Sequence, residues 1–494
     1  MKKWMVPALL AIILGVLAAC ERPGNFVEEG DLSFSVDTVK FDTIFTTFQA
    51  PTERLIVTNN TQNNINISRV WLDAGSGSEF NLIINGLEIN DLNDVELARD
   101  DSIYIFVTMK SVERDKFARD YINFQVGENT QRILIQAFVL DAYFFSGRVR
   151  NDTIFPYVFA RDTTLTPEKP IVMDGFIIVN EGVTVTIEAG TQLFFTPYKF
   201  EFTLFSGLYV GGSLQVNGTP GNPVIFQGTR LEEDYFENPA QWRGIRLLPG
   251  SGASRIEHAV IKNGLIGVEV DSLNLNNVPT LTMRYSEIRN MGAYGVLGAH
   301  FAPQISLPPS ILMENCLVRN CKEKTVILAG GGKYEFNNCT FANYSRDFTR
   351  NTPQLTVNDA LVIDNTIEGV YPLDASFVNC IVYGSEEEEL LLENLGNSFN
   401  LRFDHCLIRT SDDPDREYDY SPYFEECILN RDPIFNDLGA SDPAARDFRP
   451  RLGSPVIDAG TDLSQRFQDD IRNDPMFSRQ LPFDIGAYEY YEIE

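Results

Sequence analysis

Histidine is scarce in this 494-residue chain, and no cluster of lysine and arginine occurs anywhere in it. The three histidines, His258, His300 and His405, stand far apart, so no His-rich metal motif is formed. A Gly-x-Ser-x-Gly elbow and a phosphate-cradling glycine loop are both missing, which removes the sequence signatures of two large enzyme classes. With 40 Lys and Arg against 69 Asp and Glu, the formal charge is −29, a surface that repels phosphate; nucleic-acid partners are not expected. After residue 19 no run is long and apolar enough to cross a bilayer, and no helical period persists.

What is present is Val, Ile, Thr, Phe and Tyr in short runs punctuated by Gly, Asn and Pro, the pattern of an all-β chain with room for two or three domains. The first residues differ. Lys2 and Lys3 precede the apolar stretch Trp4 to Ala19, which is shorter than the ~20 residues of a spanning helix and ends in small residues, as a signal peptide does. Leu17-Ala18-Ala19-Cys20 resembles the lipobox of bacterial lipoproteins. That resemblance implies removal of residues 1–19 and lipidation of Cys20, the one site residue the sequence supports; an uncleaved membrane anchor is the alternative. At ~0.8 kcal/mol per buried CH₂, several acyl chains such as palmitate make attachment effectively permanent. Glu21 after the cysteine favours the outer membrane by a bacterial sorting rule, and residues 20–31, with Pro23, Gly24 and Glu28 to Asp31, read as a flexible tether.

Six further cysteines in an exported chain are read first as disulfides. Their neighbours favour another reading. Cys316, Cys339, Cys380, Cys406 and Cys427 follow Asn315, Asn338, Asn379, His405 and Glu426, with Met313, Phe336, Phe377, Phe403 or Phe424 three residues before and an apolar residue two after. The frame continues backwards through His258-Ala259 and Tyr285-Ser286. Inward side chains recur every second residue along a strand, so Phe336 and Cys339 share an interior only if the chain bends at Asn338. The frame therefore predicts a corner in each segment, and asparagine suits the left-handed conformation of such corners. Corner spacings of 27, 30, 23, 41, 26 and 21 residues describe the coils of a solenoid, with Ala, Ser and Cys in one buried column. The cysteines are then reduced core residues, a disulfide remaining the alternative, and Cys321 lies outside the frame.

This frame resembles the right-handed parallel β-helix of the pectate-lyase-like superfamily. The opening coils, Gly182 to Gly190, Gly207 to Leu214, Pro223 to Phe226 and Trp242 to Ile245, are similar to those of bacterial surface β-helix proteins. The implied fold is a right-handed parallel β-helix over 141–435, about ten coils long, behind an immunoglobulin-like β-sandwich over 32–140, where apolar and polar residues alternate. Asp432 to Phe435, Asp447 to Pro450, Ser454 to Thr461 and Asp484 to Tyr490 resemble, in order, the choice-of-anchor Q region of Bacteroidota proteins, although Asn473-Asp474 stands where that pattern usually has a glycine. Residues 436–494 are expected to cap the open strand edges of the last coil.

The superfamily contains enzymes, so chemistry must be sought in a site. Asp412, Asp413, Asp415 and Asp419 form the best acidic cluster for Ca²⁺, but read equally well as an exposed loop. Glu386 to Glu389 reads as a solvated loop, His258 and His405 as corner residues, and His300 has no acidic neighbour in sequence. Asp37-Thr38-Val39, Asp42-Thr43-Ile44, Asp152-Thr153-Ile154 and Asp271-Ser272-Leu273 match a short motif glycosylated in exported Bacteroidota proteins. No catalytic, cofactor or metal residue is assigned and no cofactor is expected. The expected function is a non-catalytic, lipid-anchored binding or scaffold protein for a glycan or an outer-membrane protein. A polysaccharide lyase or hydrolase using carboxylates on the coils is one alternative; an accessory subunit of an outer-membrane complex is the other.

Overall fold

The computed structural model describes residues 25–492 apart from 47–51, 111–115, 151–152, 198, 201–202, 205, 233–234, 273–277, 301–307, 345–347, 364–365, 397, 412–418 and 441. Among these residues every regular element longer than a 3₁₀ turn is a strand, and no helix is long and apolar enough to cross a membrane. The chain divides into two compact units, Met1–Asp141 and Ala142–Glu494.

In the first unit, two five-stranded sheets share one core. Leu55, Val57, Phe80, Leu82 and Ile105 from one sheet meet Val39, Ile65, Ile67, Ile122 and Ile135 from the other. The burial pattern of Asn129–Leu140 alternates along the strand, as a half-buried strand requires. The unit departs from an all-antiparallel sandwich: Thr38–Phe45 runs parallel to Asn129–Leu140, with a register shift after Ala137. Part of the expected tether is docked as well. Val27 bridges to Ile65, and its backbone bonds with Asn64 and Asn66 carry the entering chain onto the sheet.

The second unit is built from long parallel sheets wound as a β-solenoid. A ten-stranded sheet takes one strand from each of ten coils, and the two remaining faces merge into a twenty-stranded sheet. At ~4.8 Å per coil the stack extends about 50 Å. Each of the seven expected corners adopts positive φ: His258, Tyr285, Asn315, Asn338, Asn379, His405 and Glu426 lie between +46° and +51°. The phase slip in the sequence is thus a left-handed residue joining two short strands, such as Gly332–Asn337 and Thr340–Asn343.

Side chains repeat with the coils. The rings of Phe336, Phe377 and Phe403 stack at 4.6 and 4.7 Å, close to the strand spacing, so each coil seats its ring on the previous one. Beside them Cys316, Cys339, Cys380 and Cys406 are fully buried free thiols, while Cys427, on the last coil, is partly exposed. Gly244 marks a close approach: its φ is +115° and a Cβ there would lie 1.6 Å from the Ile266 carbonyl oxygen.

A second corner went unread in the sequence. Asn263, Asn290 and Asn320 also have positive φ, and Asn290 and Asn320 join side chain to side chain at 3.2 Å. Cys321 belongs here: its N–H donates to Asn343 Oδ1 and its carbonyl accepts from Asn343 Nδ2.

Tail residues pack along the flank of the solenoid. Phe435, Phe448, Val456 and Ile485 pack on Leu317, Ala342, Ile381, Tyr383 and Leu407. The corner ladder is its track: Asn315 donates to the Asp469 carbonyl, Asn338 to those of Asp484 and Gly486, and Asn379 to that of Thr461. Asn379 also donates to Asn338 Oδ1 on the neighbouring coil, so the corner amides link coil to coil as well as coil to tail. Asn473 supplies a positive φ of +47° at the turn where a glycine was looked for.

Candidate functional site

Cys20 and the acidic residues Asp412, Asp413 and Asp415 lie outside the described residues. Asp419 is described, and its exposed carboxylate accepts from the backbone N–H and hydroxyl of Ser421, both at 2.9 Å, fixing a short turn. The glutamate run is not uniformly solvated. Glu387 is exposed, but Glu389 is fully buried in a bidentate pair with Arg350 at 2.7 and 2.8 Å. Burial pushes the Glu389 carboxyl above its usual range even though Arg350 opposes the shift.

His405 sits on its corner with Nδ1 2.6 Å from Asp404 Oδ1. His300 is buried, with Tyr371 edge-on to its ring at 4.8 Å. Of the short modification motifs, Thr153 is exposed and Thr38 and Thr43 are half-buried. Asp271 and Ser272 are buried, and Ser272 Oγ accepts from the Gly250 N–H, so that motif is a structural turn and not an accessible hydroxyl.

Ionisable groups meet at several places on the coils, and two of these bear on chemistry. The first lies on the twenty-stranded sheet, where parallel register sets Tyr209 beside Arg246 and Arg246 beside Glu269. Arg243 pairs with Glu269, and Arg246 reaches Glu269 at 3.3 Å and Asp271 at 2.9 Å. Burial raises the Asp271 carboxyl to about 6, with Arg246 limiting the rise. A carboxyl that exchanges its proton near neutrality has the acidity of a general acid. Its residue is 0% exposed, however, so a polymer cannot touch it in this arrangement. From sequence, Asp271 stands out only within the short modification motif, and Arg246 meets Glu269 and Asp271 only once coils are stacked in register.

The second place is a groove of about 190 Å³ between the first corners and the tail, lined by Pro220, Pro223, His258, Tyr285, Glu287, Arg472 and Tyr488. His258 stacks on Tyr285 at 5.0 Å, and burial lowers the imidazole pKa, which favours the neutral ring. Burial alone would raise Glu287, but Arg319 and Arg289 outweigh it and hold the carboxyl below its usual range. The groove falls below the ~300 Å³ of ordinary small-molecule pockets. Among the described residues no group of three or more His, Cys, Asp or Glu is placed to hold a metal ion.

The fold thus defines a two-unit all-β protein whose larger unit is a parallel β-solenoid. No family model matches the chain, and no curated protein does. Among solved structures it is similar to a family 123 glycoside hydrolase from Clostridium perfringens, described for glycolipid glycan hydrolysis, at 8% identity and a TM-score of 0.17. That match covers 22% of this chain and about a quarter of the enzyme's length (26%).

Proposed function

We propose that the chain is a lipid-anchored, non-catalytic binding or scaffold protein of a bacterial outer membrane, with an immunoglobulin-like first unit, a right-handed solenoid and a glycan or outer-membrane protein as ligand. The lipobox-like Leu17 to Cys20 supports the anchor. What carries the non-catalytic reading is that the charged groups gathered on the coils neutralise one another. Arg243 and Arg246 are bound to Glu269 and Asp271, Arg319 and Arg289 to Glu287, Arg350 to Glu389, and Arg284 and Arg466 to Glu314. A catalytic acid or base must be reachable by its substrate, whereas these pairs fasten coil to coil and coil to tail. The regular face they leave suits an extended partner.

Purification of the full chain in mild detergent, followed by exposure to immobilised glycans, tests this. Retention on a glycan without release of soluble products, or recovery with a stoichiometric membrane protein, agrees with the proposal; release of oligosaccharides overturns it. The competing reading, a polysaccharide lyase or hydrolase, is favoured by one observation, the carboxyl of Asp271 at about 6 beside Arg246. It requires that Asp271→Asn abolish such release.

A further inference from the structure

On the outer face of one sheet in the first unit, beside an acidic edge strand, three adjacent strands carry arginines and aromatic rings. These strands, Ile65–Leu72, Lys116–Val126 and Asn129–Leu140, pair so that Asn123 stands between Trp71 and Arg132, and Gln125 beside Arg69. Alternation turns Ala118, Ile122, Ile133 and Ile135 into the core and leaves Trp71, Tyr121 and three arginines outside. The guanidinium of Arg69 lies 4.8 Å from the Trp71 ring centre, and that of Arg132 lies 4.6 Å from the Tyr121 ring centre. Arg119 donates to the Tyr121 hydroxyl at 3.3 Å. Phe117 and Phe138, cross-strand partners 55% and 48% exposed, extend the apolar strip.

Arg69 is held by Asp91 in a two-point pair. Among the described residues Arg119 and Arg132 have aromatic rings but no carboxylate within ion-pair distance. In a chain of charge −29, two exposed guanidinia with no acidic partner among the described residues, set on a flat aromatic surface, call for an anion. The planar fork of arginine matches a carboxylate with two parallel hydrogen bonds. Flat rings beside it present an apolar surface to the C–H face of a sugar. Strands running ~3.4 Å per residue repeat these groups about every 7 Å along the sheet, which suits a polymer better than an isolated ion.

We infer that this face, Trp71 and Tyr121 with Arg69, Arg119 and Arg132, is a binding surface for an acidic polysaccharide, a chain of carboxylate-bearing sugars. The inference rests on the glycan reading above and gives it a place and a chemistry.

Affinity electrophoresis of the full chain in gels containing polygalacturonate, alginate or neutral dextran tests it, with flotation on phosphatidylglycerol or phosphatidylcholine vesicles in parallel. The wild type is expected to be retarded by at least one acidic polymer and not by dextran. Arg119→Gln combined with Arg132→Gln should weaken that binding at least tenfold and flatten its salt dependence. Trp71→Ala should weaken it without changing the salt dependence, and Tyr104→Ala, on the other sheet, should leave it intact. Equal thermal melting of the variants would show that they fold. Wild-type retardation that survives the Arg119 and Arg132 substitutions refutes this face while sparing the glycan reading. No retardation by either acidic polymer, or flotation that requires phosphatidylglycerol over phosphatidylcholine and is lost with the Arg119 and Arg132 substitutions, refutes the inference altogether; flotation common to both lipids reports only the acyl anchor.

Discussion

Arg479 donates from Nη2 to Oδ1 of Asn315 across 2.9 Å, joining the tail to the third corner of the solenoid over 164 residues of sequence. The same guanidinium donates to the Gly486 carbonyl at 2.8 Å and faces Glu489 at 3.1 Å, and its side chain is fully buried. Removing one partner of a buried pair leaves the other charge without compensation, at a cost of roughly 3–5 kcal/mol. Arg479→Met should lower the stability of the chain by that order. Limited proteolysis should then cut first within 460–492, and adding Glu489→Gln should recover part of the loss. A denaturation midpoint unchanged by Arg479→Met would show that the tail is not fastened in this way.

The thiol column predicts a count. With Cys316, Cys321, Cys339, Cys380 and Cys406 buried, native protein should present Cys427 to a thiol reagent and shield the other five. Burial pushes the Cys321 thiol up to about 12, which slows its reaction further. Denaturation without reductant should release six reactive thiols beyond Cys20. A count of four or fewer would mean a disulfide.

Both the column and the corners were legible because they recur: a polar residue, then a small one, flanked by apolar positions at fixed offsets through seven segments. The second corner carried a comparable signal, since Asn263, Asn290, Asn320 and Asn343 each follow a first-corner residue by five positions. It is obscured because the frame shared by the other cysteines leaves Cys321 out. The path of the tail was not legible. Its motifs fix local turns, such as Asp484 accepting from the N–H groups of Asp458 and Tyr490, but its seat on the flank depends on corner amides that only stacking brings into line. The burial of Glu389 was hidden for a similar reason: its partner Arg350 is 39 residues away, on an earlier coil.

Asp271 should leave a signature in the pH dependence of stability. Its folded value of about 6 lies above the ~3.9 of an unfolded aspartate, so the folded state binds the proton more tightly. The contribution is fully present below pH ~4 and is lost as pH rises through 6, a change of at most about 3 kcal/mol. Asp271→Asn cannot ionise. Urea midpoints at pH 4, 5, 6 and 7 should therefore show the variant gaining on the wild type as pH rises, whereas parallel curves would remove the raised carboxyl from the account.

The anchor has its own test. Cells fed a labelled palmitate analogue should transfer label to the wild-type chain and not to Cys20→Ala, and the variant should leave the membrane fraction. Unlabelled wild type that remains in membranes would point to an uncleaved apolar segment instead.

The central claim is that the chain holds a partner without cutting it. The most direct measurement incubates purified full chain with acidic and neutral polysaccharides, with and without Ca²⁺, and follows new reducing ends together with absorbance of the unsaturated products a lyase would form. The account predicts no increase over buffer in either signal, under conditions where the chain still binds. A steady rise that disappears in Asp271→Asn or Glu269→Gln would contradict it and make the Arg246–Asp271 centre an active site.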